Sequence, residues 1–182
     1  EPAGIHSGDS ACCLPSVSLG DEALATIRSW TKALALRLQV QGLINLQFAV
    51  QRTASGEERV FIIEANPRAS RTVPFVAKAT GVPLARIATR LMAGEILADI
   101  GLSQEPSPPL QAVKEAVLPF RRFPGADSLL GPEMRSTGEV MGWAPHFGMA
   151  YAKAELAAGE ALPTKGNVFL STHDRDKLAL VP

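Results

Sequence analysis

The 182-residue chain lacks an excess of either charge, with 18 Lys and Arg against 18 Asp and Glu. That balance gives no reason to expect a nucleic-acid duplex or an anionic membrane as the main partner, so local sites must carry any function. Cysteine is almost absent too. Cys12 and Cys13 are neighbours and cannot close a long loop on each other, which fits a reducing compartment. No apolar run reaches membrane-spanning length, and no charged and apolar leader opens the chain. The expectation is a cytoplasmic protein with no nucleic acid and no membrane among its partners. The first residue is Glu1 rather than Met, which suggests a piece of a longer polypeptide. Hydrophobic residues make up 46% of the chain, enough to bury a core at this length.

Residues 60–66 are mostly β-branched and aromatic, which predicts a strand. Alternation sends Ile62, Glu64 and Asn66 to one face and Phe61, Ile63 and Ala65 to the other. Pro67 withholds an amide and fixes φ, ending the strand and leaving Arg68 and Arg71 just beyond it. A carboxylate, a carboxamide and two guanidinium groups thereby gather at one strand terminus. Such oxygen donors suit a hard divalent cation carried on a phosphate-bearing ligand. A surface ion pair that ends a strand would gather the same residue types.

Residues 43–50 alternate as well, with Leu43, Asn45, Gln47 and Ala49 on one side and the apolar Ile44, Leu46, Phe48 and Val50 on the other. The polar run 51–59 predicts a hairpin connection. A turn centred between Ser55 and Gly56 puts Gln47 opposite Glu64. Cross-strand Cβ atoms lie about 5 Å apart, so one cation could reach both side chains.

The clearest helix covers 21–38, with Asp21 and Glu22 at its positive end and Leu24, Ile27, Leu34 and Leu38 as its inward stripe. Trp30 is expected to pack, and Gly42 to close the helix. Residues 72–80 read as a helix ended by Gly81, with Pro83 in the first turn of another whose inward side is Leu84, Ile87, Ala88 and Leu91. The proline-rich run 103–109 reads as a linker. Strands are expected at 112–120 and 167–171, and a helix at 145–158 with Phe147, Tyr151 and Ala154 inward. The charged, glycine-bearing stretch 131–142 is given no catalytic part.

The stretch 40–71, with Gln-Gly-Leu-Ile-Asn-Leu-Gln-Phe-Ala-Val and Glu-Ala-Asn-Pro-Arg-Ala-Ser-Arg, resembles the large chain of carbamoyl phosphate synthetase, an ATP-grasp enzyme. His-Ser-Gly-Asp-Ser at 6–10, Thr-Val-Pro-Phe-Val-Ala-Lys-Ala-Thr-Gly-Val-Pro at 72–83 and Leu-Gly-Pro-Glu-Met-Arg-Ser-Thr-Gly-Glu-Val-Met-Gly at 130–142 agree in the same order. The chain looks most similar to the second synthetic half, which phosphorylates carbamate. This resemblance implies an α+β fold: the C-terminal lobe of an ATP-grasp domain, mostly antiparallel sheet with packed helices, over 1–102. It implies a helical and strand extension over 103–165 and the start of an allosteric, methylglyoxal synthase-like domain over 166–182.

The activity implied is that of an ATP-dependent carbon–nitrogen ligase using glutamine and bicarbonate, whose product serves arginine and pyrimidine biosynthesis. In its relatives the residues matching Gly4, Ile5, His6 and Ser7 lie against the nucleotide. By the same resemblance Gln47 and Glu64 hold one Mg²⁺ or Mn²⁺ beside the nucleotide, and Glu64 and Asn66 hold a second. Arg68 is the candidate for the transferring phosphate or its acceptor, with Arg71 behind it, and K⁺ is a further candidate ion. The implied partners are ATP, carbamate, the rest of the large chain and a glutaminase small chain, with a homo-oligomer left open. The second lobe of the clamp has no counterpart in this sequence, so the chain alone is expected to be inactive. Two alternatives stand beside this reading: a non-catalytic interaction or regulatory module that retains the lobe, and another ATP-grasp ligase such as biotin carboxylase.

Overall fold

The computed structural model describes residues 3–160, 163–167, 169 and 171–180. Its elements are β1 (Cys12–Leu14), α1 (Asp21–Arg37), β2 (Asn45–Arg52), β3 (Glu58–Asn66), α2 (Thr72–Thr80), α3 (Leu84–Met92), α4 (Leu97–Ile100), β4 (Gln111–Val117), β5 (Gly138–Ala144), α5 (Phe147–Ala158) and α6 (Lys177–Leu180). The described strands all pair antiparallel, within an α+β chain. They form a three-stranded sheet in the order β1-β4-β5 and a separate β2-β3 hairpin. The expected linker 103–109 lies between β1 and β4, yet those two strands are hydrogen-bonded to each other. Of the strand expected at 167–171, Val168 and Leu170 lie outside the described residues. Among the described residues no helix is long and apolar enough to cross a membrane.

The core sits on both faces of β4, whose Ala112, Val113, Lys114 and Ala116 are all buried. On one face Ala112 meets Phe75 and Ala79 of α2, with Cys12, Leu14 and Met141 packed beside them. On the other, Val113 and Ala144 meet Ala150 and Ala154 of α5, with Cys13 alongside. The two cysteines therefore part to opposite sides of the sheet, as strand alternation demands. Gly142 explains how α5 comes so near: a Cβ there would lie 1.9 Å from the Ala150 carbonyl oxygen.

That close approach corrects the inward face expected for this helix at Phe147 and Tyr151, while Ala154 is buried as expected. Ala150 and Ala154 are its buried residues, while Phe147 and Tyr151 are exposed and pack on each other with ring centroids 5.9 Å apart. A helix lying directly on strand backbone leaves room for methyl groups and none for rings.

α1 lies against the hairpin, and its sequence stripe is only partly covered. Ala23 is its one buried residue, Leu24, Ile27 and Leu34 are half-buried, and Trp30, expected to pack, is exposed. The helix also stops sooner than Gly42. Gln39 takes the left-handed conformation (φ 50°), donating to the Leu36 carbonyl at 3.1 Å while Val40 donates to that of Ala35 at 3.0 Å. These two bonds satisfy carbonyls that the helix end would otherwise leave open. Gly42 serves a different purpose, since a Cβ there would come within 3.2 Å of Met92 Cγ.

The N-terminus of α1 is pinned to the hairpin instead of being capped by its own side chains. The Gly20 amide donates to Glu58 Oε2 at 2.9 Å, and Arg52 Nη2 donates to Glu58 Oε1 at 2.5 Å and to the Ser18 carbonyl at 2.8 Å. Arg52, and then the Gly20 amide, hold the Glu58 carboxyl below its ordinary value. α2 ends at Gly81 in the left-handed region (φ 73°) and α3 begins directly after Pro83, as the sequence predicts.

Candidate functional site

The hairpin sets the site. Gln47 is the direct partner of Glu64 and Asn45 of Asn66, so the first pair shares a face at the open end of β2 and β3. Asn66 Nδ2 donates to Glu64 Oε1 at 2.8 Å, which fixes the carboxylate beside the carboxamide. One expectation fails here. The register shifts between Gln47 and Phe48, so Phe48 pairs with Ile62 and the chain bulges at Ile63. An extra residue flips the alternation, which takes Ile62 off the Glu64 face to which the sequence assigned it.

A cavity of about 820 Å³ opens between this hairpin and the segment around residues 3–12. Its wall includes Ile5, His6, Ser7, Gln47, Glu64, Asn66, Arg68 and Arg71, which the sequence reading had drawn from three separate stretches. Gly4 is not on that wall; it is exposed, one residue before Ile5. Among the described residues β2 has a strand on one edge only, and its residues 45–50 all border the cavity. Beyond the strand end the Arg68 amide donates to the Asn66 carbonyl at 2.8 Å, turning the chain back. Asn45 Nδ2 donates to Ser70 Oγ at 3.3 Å and ties that turn to β2.

Arg68 and Arg71 differ in their anchoring. Arg68 is exposed and folds Nη1 onto the Ala69 carbonyl at 3.0 Å. Arg71 reaches across to the 131–142 stretch: Nη1 lies 2.8 Å from Met134 Sδ and 3.2 Å from Ser136 Oγ, and Nε lies 3.9 Å from Glu139 Oε1. The same Glu139 oxygen is 3.3 Å from Nζ of Lys114, whose side chain is 1% exposed. A carboxylate thus stands between two cations, one buried and one facing the cavity. Met134 and Glu139 also line the cavity, so the stretch given no catalytic part forms part of its wall.

Lys114, Glu139, Ser136 and Asp9 were missed by sequence reasoning. One signal was available for Lys114. It shares a strand face with Ala116, and a lysine on a covered face requires a partner charge.

Asp9 is buried, and burial pushes its carboxyl up. The nearby Ser136 hydroxyl, hydrogen bonds from the Ser136 and Arg135 amides, and His6 outweigh that and hold it below its ordinary value.

The donor set at the hairpin end fits a hard cation. It consists of amide and carboxylate oxygens with a single formal charge, too few ligands to enclose an ion without water and phosphate oxygens completing the shell. Among the described residues no group of three or more His, Cys, Asp and Glu side chains could hold a metal.

Residues 2–100 match the family described as "Carbamoyl-phosphate synthase L chain, ATP binding domain". This chain belongs to that family. Carbamoyl phosphate synthase large chains of Nostoc sp. and Synechocystis sp. are 62% and 61% identical over all of it, and that of Archaeoglobus fulgidus is 57% identical over 97% of it. The chain spans 16% of the length of each of these three relatives. The biotin carboxylase domain of a single-chain bacterial carboxylase is similar with 29% identity and a TM-score of 0.48, over 58% of this chain and 25% of that one. The family match and the antiparallel α+β architecture agree with the ATP-grasp lobe expected for a carbamoyl phosphate synthase.

Proposed function

We propose that this segment supplies one lobe of an ATP site that phosphorylates carbamate to carbamoyl phosphate within a longer, glutamine-using large chain. The observation that carries the proposal is the direct pairing of Gln47 with Glu64, with Asn66 hydrogen-bonded to the carboxylate, on the wall of a cavity shared with Ile5, His6 and Ser7. Gln47 and Glu64 would hold one Mg²⁺ or Mn²⁺, and Glu64 and Asn66 a second. Bound there, such ions neutralise charge on the β- and γ-phosphate oxygens.

The chain's own part in the reaction is orientation and charge. Ile5, His6 and Ser7 would lie along the nucleotide, with Gly4 just ahead of them, and Gln47 and Glu64 would fix the phosphate end. A carbamate oxygen attacks the γ-phosphorus. The bond to the β–γ bridging oxygen breaks, and ADP leaves with its electron pair. Arg68 stabilises the three equatorial oxygens as charge spreads over them, and Arg71 supports it from the Glu139 side. K⁺ would be an accessory ion, the cytoplasm the setting, and a glutaminase chain the source of ammonia.

Glu64→Ala in the natural chain carrying this sequence tests the assignment: Mg²⁺-dependent ATP turnover is expected to fall by at least about a hundredfold. Wild-type rates at ordinary Mg²⁺ would refute it. Taken alone, the 182 residues leave Glu64 and Arg68 open to water, and weak nucleotide binding without turnover is expected. Micromolar Mg·ATP affinity by calorimetry would contradict that expectation.

A further inference from the structure

Asp9 does not line the cavity, yet it ends the short turn Ser7–Asp9 that directly follows His6. Its side chain is 2% exposed. Both carboxylate oxygens are spent on one distant segment: Oδ2 accepts the Arg135 amide at 2.8 Å and Oδ1 accepts the Ser136 amide at 2.8 Å. The segment answers in kind. Ser136 Oγ donates to the Gly8 carbonyl at 2.9 Å, and the His6 amide donates to the Gly131 carbonyl at 2.8 Å. Packing closes the same joint, because a Cβ on Gly8 would lie 2.9 Å from Met134 Sδ.

This segment also holds Arg71, through Met134 Sδ and Ser136 Oγ. Ser136 Oγ and Met134 Sδ therefore each face both the turn after His6 and the guanidinium beyond β3. Residues 6–9 and Arg71 are separated by the whole of α1 and the hairpin in sequence, and the Ser136 side chain is hydrogen-bonded to both.

We infer that Asp9 is a positioning residue: it holds the backbone of residues 5–8 at a fixed place relative to Arg71, using residues 134–136 as the brace. This rests on the nucleotide reading above and adds a residue that lies off the cavity wall. A buried carboxylate that receives two amides has one geometry available, so the loop ahead of it is set before any nucleotide arrives. Losing the brace lets that loop sample other positions, which weakens ATP binding while leaving Glu64, Asn66 and Arg68 in place.

The test uses the natural chain carrying this sequence, in complex with whatever subunits it requires. Asp9→Asn keeps the shape and turns an NH₂ group toward one of the two donating amides, so that bond is lost; Ser136→Ala removes the hydroxyl shared by Gly8 and Arg71. In each, KM for ATP, kcat and the melting temperature are measured on the same preparation. KM for ATP is expected to rise about tenfold, with kcat at saturating ATP changed by less than about threefold.

A purely structural role would lower the melting temperature and the active fraction and leave KM for ATP unchanged, and that result in the folded variants overturns the inference. Should Asp9→Asn fail to fold, Ser136→Ala decides by the same criterion. Glu64→Ala in parallel separates the two ideas. An inactive Glu64→Ala beside unchanged KM values removes only the role of Asp9, whereas an active Glu64→Ala removes the nucleotide reading itself.

Discussion

β4 is covered on both faces, with Ala112, Val113, Lys114 and Ala116 buried between α2 and α5; β3, a strand of similar length, leaves Phe61, Ile62, Ile63 and Glu64 in contact with water. The first strand has neighbours on both edges and the second on one. Apolar burial and tight backbone packing concentrate in the three-stranded sheet, which makes it the region that resists unfolding. The hairpin keeps its polar donors at an open end, where Asn66 bonds Glu64 and the Glu64 side chain stays exposed. Apolar packing and the candidate oxygen donors are thus lodged in different sheets, joined through Arg71, Glu139 and Lys114.

Substitutions should break this contrast if it is wrong. The largest loss of stability is expected for Gly142→Val, because even a Cβ would sit 1.9 Å from the Ala150 carbonyl. Urea unfolding should show a loss of about 3 kcal/mol or more, or no folded protein.

Next comes Lys114→Met, which keeps the buried stem and leaves Glu139 without its nearer cation. Arg71 is 3.9 Å from the same carboxylate, so the expected cost is about 2 kcal/mol, below the usual range for breaking a buried pair.

Asp9→Asn should cost about 1–2 kcal/mol at neutral pH, and its effect should depend on pH. The folded carboxyl titrates below the unfolded one, so its contribution is complete above the ordinary aspartate value of about 3.9 and disappears as pH falls through the lower folded value. Unfolding curves of wild type and variant should therefore converge below about pH 3.9, and a gap that stays constant would show that the carboxylate charge is not responsible.

The smallest change in stability is expected for Glu64→Ala, within about 0.5 kcal/mol, since its side chain is exposed at a strand end. A loss above about 1 kcal/mol there would show that the hairpin end belongs to the scaffold after all.

Much of the local structure was legible. The helix of residues 72–80 and its closing Gly81 follow from propensity and a left-handed cap, and the strands of the hairpin follow from alternation. The facing of Gln47 and Glu64 was read from the position of the turn. The pairs next to the turn centre on Ser55, half a residue from the expected centre, and would set Gln47 against Ile63; the bulge at Ile63 adds the residue that brings Gln47 back opposite Glu64. Harder to see were the features set by contact between distant segments. Phe147 and Tyr151 are more apolar than Ala150 and Ala154, and only the bare backbone of Gly142 decides that the alanines go inward. Trp30 stays exposed because two strands do not cover all of α1.

By itself the sequence determined that a helix precedes a hairpin and that another follows it, which oxygen donors sit near the end of that hairpin and which family the chain resembles. Those features depend on residues a few positions apart, or on one short turn, where local sterics and alternation govern. Tertiary structure alone decided that residues 134–136 would brace both the His6 loop and Arg71, and that Glu139 would lie between Lys114 and Arg71. The partners there are up to 128 residues apart, and a charge or an amide carries no mark of its distant partner until the chain has folded and burial forces each to find one.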